Sequence, residues 1–368
     1  MTNFLVGILS QDICFICEIC GSYLRSGMGI SSSCFGGRLL APRRGTGYNL
    51  CGMSRQTSEQ TATRVSPRVG IVMLTWNQKQ MTFEGLTALR KLEGPKPRIV
   101  LVDNGSVDGT CEAVREAFPE VEVLGLPANE GFCAANNRGA ELLLKDPGIA
   151  YVLFVNNDID LEPDCVNRLT AFMDATPAAG ACGPLIFYDN PRETVWAAGG
   201  RIYPDLMWFP PILRDRPWRC GNTPRRVGYI HGCALMVRRP VIETTGMFDE
   251  RFFIYHDEVD WCHRMQLAGH EVWLVPAARL YHKVSQVVGQ HSPMMIYYTS
   301  RNKLLFWWKH GRLSDLPKFY AFHLWKMIRI FARAGSPWAW ISLFKALFDA
   351  LTGGFGRGHI EAARNNKR

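Results

Sequence analysis

Residues 69–75 read Val-Gly-Ile-Val-Met-Leu-Thr, and residues 98–102 read Arg-Ile-Val-Leu-Val. Each run has the length and the nearly continuous apolar character of a strand that is buried on both faces of a sheet. Between the two runs, residues 80–92 carry apolar side chains at helical spacing. A buried strand, a helix and a second buried strand predict a parallel sheet with right-handed crossover connections.

The alternation of helices and strands continues downstream. The pattern predicts a helix that opens at 106–110 and ends near 118, a strand at 121–124, a helix at 134–144 and a strand at 151–155. Further on, it predicts a long loop at 202–219 and strands at 228–238 and 270–275. The expected class is therefore an α/β fold with a mainly parallel central sheet flanked by helices.

Polar residues follow three of the predicted strands. Thr75–Asn77 follow the first strand, Asp103–Ser106 the second, and Asn156–Asp158 the strand at 151–155. Ligands of open α/β sheets bind outside the carboxyl ends of the strands, so we expect these residues to converge on one crevice. The sequence has no Gly-x-Gly-x-x-Gly after the first strand and no P-loop, which disfavours a dinucleotide site and a Walker-type phosphate site.

The segment 246–262 contains a cluster of acidic residues. Asp257, Glu258 and Asp260 fall within one helical turn of each other. Ionised carboxylates this close repel, and a fold normally keeps such a cluster beside a cation or where a proton is transferred. Together with Asn156–Asp158, the cluster predicts the two halves of a metal-and-base site.

The composition restricts the class of partner. The chain has 368 residues, a formal net charge of +9 and a pI of about 9.0, which favours an anionic partner such as a nucleotide or an acidic membrane face. Nucleic acid is not expected, because no Lys/Arg stripe with interleaved aromatic residues occurs. The cysteines lie mostly in apolar segments, which favours buried thiols of a reduced, cytoplasmic protein.

Seven motifs occur in an order typical of one known family. They are Val-Asp-Asn-Gly-Ser at 102–106, Asn-Glu-Gly-Phe at 129–132 with Asn136-Asn137, Asn-Asn-Asp at 156–158, Gly-Cys-Ala-Leu-Met-Val-Arg-Arg at 232–239, Phe-Asp-Glu-Arg-Phe-Phe at 248–253, Asp-Glu-Val-Asp at 257–260 and Tyr-His at 281–282. Over residues 67–310 the chain resembles the inverting glycosyltransferases of family 2, and within them the rhamnosyltransferases of bacterial surface-polysaccharide synthesis. The resemblance implies a GT-A fold, a nucleotide-sugar donor and a divalent metal, Mg²⁺ or Mn²⁺.

Two residues are candidate metal ligands. Asp158 lies where a strand ends in the expected crevice, and Mg²⁺ and Mn²⁺ prefer oxygen ligands of this kind. The resemblance implies that His282 is the second ligand; the alternative is a structural histidine. Such a metal would neutralise the charge that develops on the leaving nucleoside diphosphate.

The general base is expected in the acidic cluster. An attacking hydroxyl must lose its proton, and Glu258 is the candidate base with Asp257 in support. The family often has Glu-Asp where this chain has Asp-Glu, so either carboxylate could hold the proton. The alternative is that one acid caps the helix that begins here, and both roles are compatible if Asp257 caps and Glu258 reaches the acceptor. Asp260 is expected to pair with Arg264, one turn further on.

The remaining candidates concern the donor and the acceptor. Asp103 resembles the family residue that binds the base or ribose of the donor, with a simple turn as the alternative. Thr75, Asn77 and Asn156 are expected to line the same pocket, and Asn136 to face the donor or pack its loop. Four aromatic residues are candidates for a sugar platform or for core packing, namely Trp196, Trp208, Tyr229 and His231.

Three regions are expected. Residues 1–66 show no periodicity and predict a disordered extension, residues 67–290 the catalytic domain, and residues 291–368 a helical extension. In the extension, residues 318–333 combine basic and aromatic side chains, which suits an interfacial position on an anionic membrane, with packing on the catalytic domain as the alternative. A cytoplasmic protein, peripheral on the inner face of the plasma membrane, is expected.

The sequence thus predicts a metal-dependent inverting glycosyltransferase. Its expected reaction moves rhamnose or another deoxyhexose from a nucleotide sugar to a glycan or polyprenyl-linked saccharide. A different hexose donor is an open alternative. A catalytically silent partner protein that binds nucleotide sugars or glycans is a second alternative, although the set Asp158, Glu258 and His282 disfavours it. A nucleotidyltransferase is disfavoured because Trp76-Asn77-Gln78 is not a Gly-rich phosphate loop.

Overall fold

The computed structural model describes residues 68–283, 292–315, 317–319, 321–322 and 337–358. The predicted disordered extension and most of the basic segment 318–333 lie outside these residues. The helices are α1 (Lys79–Arg90), α2 (Thr110–Ala117), α3 (Gly131–Leu144), α4 (Cys165–Ala175), α5 (Arg239–Thr245), α6 (Asp257–Leu267), α7 (Pro293–His310) and α8 (Pro337–Thr352). None of the helices in these ranges combines the length and the hydropathy that a membrane span requires.

The strands form one sheet. They are β1 (Val69–Thr75), β2 (Arg98–Asp103), β3 (Glu122–Gly125), β4 (Tyr151–Asn156), β5 (Ile159–Leu161), β6 (Ala179–Tyr188), β7 (Thr194–Ala197), β8 (Arg216–Pro217), β9 (Arg225–Arg226), β10 (Ala234–Arg238) and β11 (Glu271–His282). The main order is β3-β2-β1-β4-β10-β6-β11-β5. The first four strands of this order are parallel, as the alternation with helices predicts, whereas β10 runs antiparallel to both β4 and β6.

Both faces of the sheet are covered. In β1, Ile71 and Met73 pack into one apolar cluster and Val72 into the other, because successive side chains of a strand point to opposite faces. The same holds in β2, where Leu101 belongs to the first cluster and Val102 to the second. This burial explains the continuous apolar runs, and the α/β class with a central sheet and flanking helices is confirmed.

Three predicted boundaries differ from the structure by three or more residues. The strand predicted at 228–238 begins only at Ala234, because the backbone of Tyr229 pairs with Gly200 instead. The strand predicted at 270–275 continues to His282, past an irregularity in its pairing with β6 that follows Val275. The helix predicted from residue 134 already begins at Gly131, where φ is 91°. A Cβ at this glycine would lie 2.4 Å from the Phe253 ring.

Candidate active site

A crevice of about 330 Å³ opens at the carboxyl ends of β1 and β4. Its lining includes six of the candidate site residues, namely Thr75, Asn156, Asp158, Asp257, Glu258 and His282. The carboxyl end of β11 supplies His282, and the start of α6 supplies the two acids. The structure therefore brings the two predicted halves of the site to one place, at the edge of the sheet that the fold class predicts.

Asp158 and His282 are in direct contact. The Nε2 atom of His282 lies 3.0 Å from Oδ1 of Asp158, and both residues are buried. Strand register explains this contact across 124 positions of sequence. Short strand β5 runs antiparallel to the end of β11, with Ile159 opposite His282, so the preceding Asp158 lies next to the imidazole.

This pair fits a divalent cation whose remaining coordination positions are filled by a bound substrate and water. It offers one carboxylate and one imidazole, and Mg²⁺ or Mn²⁺ commonly takes few protein ligands together with substrate phosphates and water. Among the described residues, no group of three or more His, Cys, Asp or Glu side chains forms a complete protein cage. Nδ1 of His282 is buried without a hydrogen-bond partner within the described ranges. The imidazole is instead held by its edge-on packing against Trp196, with ring centroids 4.3 Å apart.

The two acids at the start of α6 differ in environment. Burial, followed by the negative charge of Glu258, raises the pKa of Asp257 well above its ordinary range. Oδ2 of Asp257 has no hydrogen-bond partner in the described part of the chain. Glu258 is less deeply buried, and desolvation raises its pKa to about 7. The pKa of Glu258 therefore lies where a carboxylate can accept a proton near neutral pH.

The interpretation of Asp257 as a helix cap is wrong. The capping position belongs to His256, with φ of 64°, and no side chain provides a capping hydrogen bond there. Asp257 is the first residue of the helix itself. By contrast, the predicted pair of Asp260 with Arg264 is confirmed at 2.9 Å.

Aromatic side chains border Glu258. Nδ1 of His231 lies 3.9 Å from Oε1 of Glu258. Burial, then the charges of Arg214 and His282, lowers the pKa of His231 to about 3, so the imidazole is neutral and the contact is not an ion pair. The His231 ring packs between Trp196 and Tyr229, at 4.9 and 5.3 Å. Trp208 instead stacks on Tyr203, so it does not join this aromatic group.

Three predicted donor residues lie outside the lining of the crevice. Asp103 accepts hydrogen bonds from the Ser106 amide and the Cys111 thiol, which hold the turn after β2. Asn77 links the loops after β1 and β2, because its amide donates to Ser106 and its side chain accepts from the Val107 amide. Asn136 is buried and donates to the Phe132 carbonyl. In this structure Asp103 and Asn77 hold loops beside the crevice, whereas Asn136 bonds within α3.

Several residues of the crevice are absent from the sequence-based set. Gln78 follows β1, and Ile254 and Tyr255 precede α6. For Gln78, the carboxyl end of a strand is a signal that could have identified it. Ile254 and Tyr255 have no such signal, because their place depends on an unusual turn that the sequence does not mark.

Comparison with known proteins agrees with this geometry. A family model described as glycosyl transferase family 2 matches residues 70–246. The N-acetylglucosaminyl-diphospho-decaprenol L-rhamnosyltransferase of Mycobacterium tuberculosis is 30% identical over 246 residues, which cover 57% of this chain and 76% of that protein. The dTDP-rhamnosyl transferase RfbF of Shigella flexneri is 26% identical over 243 residues, which cover 64% of this chain and 78% of that protein.

Solved structures share the fold. GalNAc-T7, solved with UDP, GalNAc and Mn²⁺, superposes with a TM-score of 0.54 at 17% identity, covering 70% of this chain and 50% of that one. Residues 1–349 of TarS from S. aureus give a TM-score of 0.51 at 16% identity, covering 77% and 80%. With its GT-A fold and its rhamnosyltransferase relatives, the chain belongs to glycosyltransferase family 2 and is a glycosyltransferase.

Proposed function

We propose that this chain is a metal-dependent inverting transferase that moves rhamnose or another deoxyhexose from a nucleotide sugar to a glycan or polyprenyl-linked saccharide in cell-surface polysaccharide synthesis. One observation carries the proposal. A carboxylate whose pKa is near 7, Glu258, lines the same crevice as the paired Asp158 and His282. Inverting transfer needs a base for the incoming hydroxyl and a charge-neutralising site for the leaving group.

Asp158 and His282 would hold the divalent cation. Bound there with the donor, the cation would act as a Lewis acid that stabilises the nucleoside diphosphate as it leaves. The two residues are fixed in place by the pairing of β5 with β11, so they need little rearrangement on donor binding. Thr75 supports the floor of the crevice through a buried network in which its hydroxyl contacts Thr82 at 2.7 Å and accepts from Asn157.

Glu258 would accept the proton. The acceptor hydroxyl attacks the anomeric carbon from the face opposite the diphosphate, the new carbon–oxygen bond forms as the bond to the diphosphate breaks, and the proton passes to the Glu258 carboxylate. The configuration at that carbon is thereby inverted. Asp257 is buried beside Glu258, and its raised pKa disfavours a second negative charge next to the nucleophile. Trp196, which lines the crevice next to His282, offers a flat face to a sugar ring.

The names of the two relatives support the proposed substrates. One transfers L-rhamnose to a lipid-linked diphospho-sugar, and the other is named for dTDP-rhamnose. A rhamnosyl donor and a polyprenyl-linked acceptor are therefore the first pair to test. A hexose donor remains the competing outcome of the same test, because a relative in Haloferax volcanii, 22% identical, is named a hexosyltransferase.

We further propose that the enzyme works on the surface of an anionic membrane. Helix α8 buries Ala346, Ala350 and Asp349, and its opposite side exposes a run of large apolar residues, namely Trp340, Ile341, Phe344, Leu347, Phe348 and Leu351. Lys345 is exposed beside them, and the net charge of the chain is +9. An apolar helical face with cationic neighbours suits the boundary of a bilayer with acidic headgroups, where a polyprenyl-linked acceptor would reside.

Transfer with a defined acceptor tests the proposal. The purified chain is incubated with a panel of nucleotide sugars that includes dTDP-L-rhamnose, a lipid-linked diphospho-N-acetylglucosamine, and Mg²⁺ or Mn²⁺. The expected result is release of nucleoside diphosphate with a rhamnosylated product of inverted configuration, lost in EDTA. Turnover of a different nucleotide sugar would show that rhamnose is not the sugar transferred. Activity that persists in EDTA would overturn the role of the metal, and a product of retained anomeric configuration would overturn the inverting mechanism.

A further inference from the structure

The turn at residues 252–256 comes directly before Asp257 and Glu258. Its backbone is unusual because residues other than glycine adopt positive φ. These are Phe253, Tyr255 and His256, with φ of 65°, 71° and 64°. Non-glycine residues rarely adopt this conformation, and it persists only where the surroundings hold it. Ile254 and Tyr255 also line the crevice, so whatever holds the turn also holds the site.

The side chain of Asn302, on α7, binds backbone carbonyls of the turn. The side-chain amide donates to the carbonyl oxygens of Phe252, Ile254 and Tyr255 at 2.9, 2.8 and 2.8 Å. The side-chain oxygen accepts from Nη2 and Nε of Arg301 at 2.9 and 3.1 Å. Since an arginine can only donate, this contact fixes which end of the amide faces the turn.

Arg301 binds the turn from the same side. Its Nη2 donates to the carbonyl oxygens of Phe252 and Arg251 at 2.9 and 3.2 Å, and its Nη1 donates to that of Gly356 at 2.7 Å. The guanidinium lies over the ring of Tyr298, 4.9 Å from its centroid. Arg301 and Asn302 are both fully buried. A buried cation is unfavourable unless its donors are satisfied, and two of the acceptors are the carbonyl of Phe252 in the turn and that of Arg251 directly before it.

The carbonyl of Phe253, the next residue of the turn, is bound by a different helix. The oxygen of Phe253 accepts from the amide of Phe132 at 2.7 Å, at the start of α3. Helix α7 also contacts α6 itself, because Lys309 and His310 lie 2.7 and 2.8 Å from Oδ1 of Asp260. The turn and the helix that follows it are therefore both bound to α7, and the turn is bound to α3 as well.

We propose that Arg301 and Asn302 are positioning residues that hold the turn 252–256 so that the Glu258 carboxylate faces the acceptor hydroxyl. The proposal rests on the proposed role of Glu258 as the base. Neither residue lines the crevice, so their effect on the reaction passes through the backbone of the turn. Side chains unable to donate here would leave several buried carbonyls unpaired and release a strained backbone. A displacement of about 1 Å at a reacting group can cost on the order of a hundredfold in rate.

The test compares Asn302→Ala with a matched core variant, Leu169→Ala. Leu169 is a fully buried residue of α4 that packs in an apolar cluster without any residue of the turn, so its truncation lowers stability without touching the turn. For Asn302→Ala we expect a fall in kcat of about a hundredfold with donor KM changed by less than about threefold. Amide hydrogen exchange should speed up in peptides that cover residues 252–258 in Asn302→Ala and not in Leu169→Ala. Arg301→Lys, which keeps the charge and loses the planar fork, should show the same pattern more weakly.

Asn302→Asp keeps the size of the side chain and loses its NH₂ group, so it replaces Asn302→Ala if the latter does not fold. Wild-type kcat in the Asn302 variant, a loss no greater than that of Leu169→Ala, or unchanged exchange at 252–258 would each overturn the proposal. The exchange measurement needs no substrate. If the wild-type chain showed no transfer, the proposed function would fail. Hydrogen exchange would still show whether Arg301 and Asn302 hold the turn.

Discussion

Replacement of Glu258 by glutamine should remove transfer and stabilise the protein at the same time. The carboxylate needed for catalysis is one that the fold disfavours, because desolvation raises its pKa from the ordinary 4.5 to about 7. Glutamine has nearly the same shape and no charge. Loss of the base should lower kcat by about 10²- to 10⁴-fold, while binding of the nucleotide sugar changes little.

The size of the stability effect follows from the same shift. Between pH 4.5 and 7, an unfolded chain ionises Glu258 while the folded chain keeps it protonated, so stability is lost as pH rises through this window. The full difference corresponds to about 3 kcal/mol. At pH 8, Glu258→Gln should therefore unfold with a free energy about 3 kcal/mol above that of the wild type, whereas at pH 5 the gain should be below about 1 kcal/mol.

Two assays check this account. Urea unfolding at pH 5 and pH 8 measures the free energy, and initial rates between pH 5 and pH 8 measure kcat, which in the wild type should fall to about a tenth of its plateau at pH 6. Glu116→Gln, on the exposed side of α2, is the matched control and should change neither quantity. Turnover in Glu258→Gln close to that of the wild type would refute the assignment of the base. A stability gain that is the same at both pH values would refute the raised pKa.

Three further outcomes are expected. Asp158→Ala should abolish the metal-dependent part of donor binding, measured by calorimetry with and without EDTA, and donor binding of wild-type strength would contradict the ligand role. The double variant Phe344→Ser with Phe348→Ser should lose at least tenfold in affinity for phosphatidylglycerol vesicles in a sedimentation assay, because each exposed ring contributes roughly 1.5–3 kcal/mol when it is buried. Unchanged sedimentation would exclude this face of α8 as the membrane-binding surface. Gly131→Ala should lower the free energy of unfolding by about 1–3 kcal/mol more than Gly269→Ala. Both glycines have φ near 90°, but only at Gly131 would the added methyl group clash, with the Phe253 ring. Equal losses in the two variants would contradict this clash.

The sequence was most informative about the first half of the sheet. Strands β1, β2 and β4 are buried on both faces, and their continuous apolar runs are therefore visible without a structure. The order of the later strands was not accessible, because β10 inserts between β4 and β6 and pairs antiparallel with both. Nothing in the composition of a five-residue strand specifies its neighbours.

The site was predictable in part for a similar reason. Polar residues at strand ends marked Thr75, Asn156 and Asp158, the acidic cluster marked Asp257 and Glu258, and the family resemblance added His282. The turn before α6 was not predictable, because its positive φ values fall on Phe253, Tyr255 and His256 rather than on glycine or asparagine. Its conformation is imposed by tertiary hydrogen bonds from α7, which no local pattern records.

The most direct test of the central claim is the anomeric configuration of the product formed by the wild-type chain. Transfer from dTDP-L-rhamnose, or from whichever nucleotide sugar is consumed, is followed by NMR of the glycosidic linkage in the presence of Mg²⁺ or Mn²⁺. We expect a product of inverted configuration, formed by the wild type and not by Glu258→Gln. A product of retained configuration, or equal product from the variant, would contradict it.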